Sequence, residues 1–144
     1  MTASTPQASA LARVPDVLAS IDALFRRALK VTRGTVEASG DTALDRAQLQ
    51  AYELAMIKAE LHAAGAIVDY ARSCMTERSG SEHGAELESR LAGAFVADIL
   101  VKLRARFDRI RHVTGLSARD LAHVFDTADA DQLTATWLAP DLLD

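Results

Sequence analysis

Gln48-Leu-Gln-Ala-Tyr-Glu-Leu-Ala-Met-Ile-Lys-Ala-Glu-Leu-His-Ala-Ala-Gly-Ala-Ile-Val-Asp-Tyr-Ala71 is the stretch that decides the fold. Strong helix formers dominate it, no proline interrupts it, and Gly65 is its one glycine. Turned through about 100° per residue, Leu49, Tyr52, Met56, Ile57, Leu61, Ala63, Ala64, Ile67, Val68, Tyr70, Ala71, Cys74 and Met75 cover more than half of the circumference. Lys58, His62 and Asp69 leave only a narrow polar strip. A helix this apolar is expected to be central and buried. Asp41, Thr42 or Asp45 can cap its start, and it runs to about Thr76, roughly thirty residues or about 45 Å.

Two more long helices flank it. Upstream, Val14, Leu18, Ile21, Phe25, Ala28, Leu29, Thr32 and Val36 recur every three or four residues, starting near Pro15-Asp16 and stopping at Ser39-Gly40. Residues 1–13, with no charge before Arg13, read as a flexible tail. Downstream of a polar loop around Gly80 and Gly84, a third helix spans about Ala85 to Val113, and Gly115 ends it. Ser117 with Asp120 has the pattern of a capping box for a short helix to Phe125. Asp129 or Asp131 then caps a last short helix, which Pro140 terminates. The expected fold is all-α: an up-and-down bundle of three long helices and two short C-terminal ones, forming one domain over residues 14–144.

Two residues break the apolar face of the central helix. Glu53 and Glu60, seven apart, both point into it, where lone carboxylates are unfavourable. The third helix carries Asp98, Lys102, Arg106 and Arg109 within its own apolar face. A buried ion layer is therefore expected, joining Glu53 and Glu60 to Lys102 and Arg106, with Asp98 beside it. It would fix helix register or, alternatively, line a small-ligand cleft. Trp137, the one tryptophan, either caps the bundle or anchors a partner.

Composition narrows the function. The 144 residues are 49% apolar, carry a net charge of −4 and include a single cysteine, Cys74. An acidic balance speaks against nucleic acid as partner, although Lys102 to His112 is locally basic. No apolar run suits a membrane span, and no signal-peptide pattern begins the chain, so a cytoplasmic protein is expected. No intramolecular disulfide can form. Glu60 and His62 lack the Glu-x-x-His spacing of a dimetal bundle, and neither a nucleophile elbow nor a glycine-rich phosphate loop is present. No catalytic residue and no metal ligand is assigned, and the chain on its own reads as non-enzymatic.

The stretch from Gln48 to Ala71 resembles a helix of the acyl-CoA dehydrogenase helical domains, especially the extra N-terminal helical domain of long members such as methylsuccinyl-CoA dehydrogenase. Ala85 to Arg109 looks like the helix that follows. The resemblance covers about half of the chain. It implies an accessory subunit or detached domain of a flavoenzyme, with FAD held only through a partner, or alternatively a flavoenzyme subunit whose basic third helix contacts FAD or CoA phosphates. The departures are large: His112-Val-Thr-Gly-Leu116 has one glycine where a flavin-contacting turn would have two, and no β-domain is present. The expected function is thus a helical interaction or assembly module, either dimerising with itself or joining a flavoenzyme partner.

Overall fold

The computed structural model describes residues 6–39, 45, 47–78 and 85–138. Among them are five helices and no strand: α1 (Pro6–Ser39), α2 (Gln48–Glu77), α3 (Glu86–Ile110), α4 (Ala118–Phe125) and α5 (Ala128–Trp137). The expected all-α bundle of three long and two short helices is what the chain forms. The caps considered at Asp41 and Thr42, the stop at Gly40, the loop around Gly80 and the terminator Pro140 lie outside the described residues.

Helix α1 starts at Pro6, ahead of the start expected near Pro15, so residues 6–13 are helical rather than a flexible tail. Ala10 and Leu11 extend the buried stripe of Val14, Val17, Ile21, Leu24 and Ala28 by one more turn. Pro15 lies inside the helix on its exposed side. It lacks the N–H that would bond the carbonyl of Leu11, and burial of Leu11 helps to offset that loss.

Helices α2 and α3 form the most extensive contact. Arg78 pairs with Glu88, Glu60 with Arg106, and Glu53 with Arg109, so the two run antiparallel. Helix α1 packs against both, and α4 and α5 pack on α1 and α3. Among the described residues, helix α2 therefore has substantial neighbours on only two sides, α1 and α3. Its buried residues are Glu53, Leu54, Ile57, Leu61, Ala64, Val68, Ala71 and Cys74, a single stripe. The expectation of a central helix buried over all but a narrow polar strip is corrected here: Leu49, Tyr52 and Tyr70 are each more than half exposed.

The short helices are set by local chemistry. Asp120 N–H donates to Ser117 Oγ at 3.1 Å, and Ser117 N–H donates to Asp120 Oδ2 at 2.8 Å, completing the expected capping box. Gly115 adopts a left-handed φ of 67° in the turn before it, a conformation that favours glycine. Thr127, rather than Asp129 or Asp131, caps α5, its hydroxyl accepting from Ala130 N–H at 3.2 Å. Both aspartates instead sit in the first turn, where negative charge suits the helix dipole.

Candidate functional site

The sequence places Glu53 and Glu60 seven residues apart, two turns of one helix face, and the structure brings both to Arg106. Arg106 Nε donates to both oxygens of Glu60 at 3.0 Å, and Nη2 adds a bond to Oε1 at 2.9 Å. Its Nη1 donates to Glu53 Oε2 at 2.8 Å. Arg109 Nη1 donates to the other Glu53 oxygen at 2.7 Å. Glu53 is 2% exposed and Glu60 13%, so two carboxylates are taken from water together with one guanidinium, while Arg109 reaches in from a largely exposed position. Two acids and two arginines balance in formal charge.

Lys102 and Asp98 are not in this layer. They pair with each other one turn apart on the exposed side of α3. Arg109 takes the place expected for Lys102. It lies three residues beyond Arg106, and a long guanidinium can remain wet at its base while reaching Glu53.

The electrostatics favour a structural role. Burial pushes the Glu53 carboxyl up, but the hydrogen bonds from Arg106 and Arg109 outweigh it and hold the group below the ordinary glutamate value. Glu60 and Glu53 in turn raise the Arg106 guanidinium. A carboxylate so engaged is a poor proton acceptor at neutral pH. The layer locks the register of α2 against α3.

Trp137 is 4% exposed and covered by its own chain. A Cβ built on Gly93 would stand only 2.2 Å from the indole Cε2, so the indole lies directly on the glycine face of α3. The option of an interface anchor is therefore corrected to a core residue. Gly93, within an Ala- and Leu-rich helix, was the sequence signal for a large neighbour. Cys74 is buried and free. His62, His112 and His123 are scattered over separate elements, and His83 lies outside the described residues. Among the described residues no group of three or more His, Cys, Asp and Glu side chains could hold a metal ion. No helix among them is long and apolar enough to cross a membrane.

Two features outside the ion layer have the character of sites. One is an apolar groove of about 500 Å³ between α1 and α2. The other is the outer face of α2. There Leu49, Tyr52, Met56, Ala59, Ala63, Ala66 and Tyr70 follow one another at alternating steps of three and four, within an arc of about 100°. Leu49, Tyr52, Ala59, Ala63, Ala66 and Tyr70 are exposed, and Met56 is half-buried. No protein-family model, curated protein or solved structure matches the chain. The acyl-CoA dehydrogenase resemblance thus stands on the two quoted helices alone.

Proposed function

We propose that this chain is a non-catalytic assembly module that pairs with a second copy of itself through the outer face of α2. The uncharged heptad stripe from Leu49 to Tyr70 carries this reading. An exposed apolar seam of three heptads is the pattern by which helices recognise helices.

The seam is close to a palindrome. About Leu61, Tyr52 mirrors Tyr70, Met56 mirrors Ala66, and Ala59 mirrors Ala63. A two-fold contact needs a surface complementary to itself. Antiparallel copies would set Ala59 against the partner's Ala63, where small side chains permit close approach, and would close each end with tyrosine. The strip is about 27 Å long between the tyrosines, on the order of 400 Å² per copy with their side chains. That is about half of a standard interface, so a reversible dimer is expected rather than an obligate one. The ion layer supports the same reading from within, because its charges are spent on one another.

The test mixes two single-cysteine chains, Ala59→Cys and Ala63→Cys, each in a Cys74→Ala background and distinguishable by mass. Under mild oxidation the mixed 59–63 dimer should form faster than either like-with-like dimer, and faster than dimers of an α1 control, Ala23→Cys. Equal rates for all pairs would refute the antiparallel seam. Recovery of a yellow hetero-complex from the source cells would instead favour the flavoenzyme partner that the helix resemblance implies.

A further inference from the structure

The groove between α1 and α2 flanks the seam on the side toward α1. Its walls are apolar: Phe25, Leu29 and Val36 from α1, with Ala51, Leu54 and Ala55 from α2. Its volume, about 500 Å³, is that of a small-molecule site.

Thr32 lines this groove and is 7% exposed, yet its hydroxyl has no hydrogen-bond partner. Other helical threonines behave differently. Thr35, Thr76 and Thr134 each donate to the carbonyl four residues back, at 3.0, 3.0 and 3.1 Å. An unpaired buried hydroxyl is unfavourable. Threonine in a helix populates two χ1 rotamers, and one step between them exchanges the methyl for the hydroxyl.

Two cations and one acid, Lys58, Arg33 and Glu37, also line the groove. Lys58 is held by Asp22 at 2.9 Å and lies 5.5 Å from the Phe25 ring centroid. Arg33 is less engaged: its nearest acid, Glu37, is 3.9 Å away and both side chains are largely exposed. Arg33 is thus the cation better placed to take an external anion, beside a hydroxyl that lacks a partner.

We infer that this groove binds a medium-chain aliphatic carboxylate, with its carboxylate on Arg33 and the Thr32 hydroxyl and its chain along Leu29, Phe25 and Leu54. Phe25 to Arg33 spans about 12 Å of helix, roughly the length of an extended ten-carbon chain. The cation supplies the charge match, the buried hydroxyl gains the bond it lacks once it rotates toward the groove, and the chain covers Leu29, which is 41% exposed, alongside the buried Phe25 and Leu54.

The experiment is displacement of dansyl-labelled undecanoate from the full chain by decanoate, followed by fluorescence, with decanol as the uncharged comparison. Decanoate should displace the probe saturably, and decanol should bind at least about tenfold more weakly. Thr32→Val should weaken decanoate binding by about tenfold or more while the ligand-free protein melts no lower, because the change removes an unsatisfied hydroxyl. Arg33→Gln should erase the preference for decanoate over decanol. Ala55→Trp, which fills the groove, should abolish binding, with circular dichroism checking that the variant remains helical. Absence of saturable displacement, equal affinity for decanol, or unchanged affinity in Thr32→Val would overturn the assignment.

Discussion

Arg106 of α3 and Glu53 of α2 meet inside the bundle, Nη1 to Oε2 at 2.8 Å, with Glu53 2% exposed. The same guanidinium holds Glu60, so one cation satisfies two carboxylates that a hydrophobic face would otherwise exclude. The pairing is redundant: Glu53 keeps Arg109 if Arg106 is lost, and Arg106 keeps one acid if the other is lost.

Replacing Arg106 is therefore the most damaging single change in the layer. Arg106→Met leaves Glu60 without its partner and Glu53 with Arg109 alone, and should destabilise the fold by about 3–5 kcal/mol. Glu60→Leu, which leaves Arg106 bonded to Glu53, should be milder. Glu53→Met, Glu60→Met and Arg106→Met combined should regain most of the loss, since apolar groups of similar volume need no partners. Urea unfolding of the variants checks the order, and a harmless Arg106→Met would contradict the buried layer.

Acid should weaken the fold in a predictable window. The Glu53 carboxyl lies below its ordinary value of 4.5, and Asp22 is likewise lowered, chiefly by Lys58. A depressed acid contributes its full stability above its unfolded pKa and loses it as pH falls through the lower folded value. Unfolding midpoints in urea should be nearly level from pH 7 to about 5 and fall below about 4.5. Glu53→Gln should start lower and fall less steeply. A midpoint that rises on acidification would contradict the assignment.

Two glycines should respond with opposite sign. A methyl group added at Gly65 would meet nothing within 4 Å, so Gly65→Ala should stabilise by about 0.5–1 kcal/mol through helix propensity alone. At Gly93 the same gain is opposed by a Cβ 2.2–2.6 Å from three indole atoms of Trp137. Overpacking of this kind costs about 1–3 kcal/mol, so Gly93→Ala should destabilise and shift Trp137 emission to the red as the ring moves toward water. Thermal melts and fluorescence decide both, and a more stable Gly93→Ala would contradict the close packing.

Much of this fold is legible in the sequence, and the failures have physical reasons. Period locates α2 and α3, and the capping box α4, to within a few residues, although Ala47 rather than Asp45 precedes α2, and the phase of Glu53, Glu60 and Arg106 places them on facing stripes. Phase alone does not choose between Lys102 and Arg109. Both flank the stripe, and Lys102 turns outward because Asp98 lies one turn away on the wet side. Pro15 reads as a helix start because proline favours the first turn, yet the buried Leu11 carries the helix past it. The excess of apolar residues on α2 reads as burial over most of its circumference. A periodicity count cannot distinguish a surface covered by the same chain from one left open, and among the described residues α4 and α5 pack on α1 and α3 instead. The groove beside Thr32 is invisible to sequence because it depends on how α1 and α2 sit against each other, and the unpaired Thr32 hydroxyl on a rotamer that periodicity does not report.

The central claim, self-association through α2, is tested most directly by solution mass. Sedimentation equilibrium of the full chain over a concentration series should fit a reversible monomer–dimer exchange in the micromolar range, with 15.5 kDa as the monomer. Ala63→Glu sets a charge against the partner's Ala59 and should leave a monomer with unchanged helix content. A wild type that remains monomeric at every concentration, or an Ala63→Glu variant that dimerises as strongly as the parent, would contradict the account.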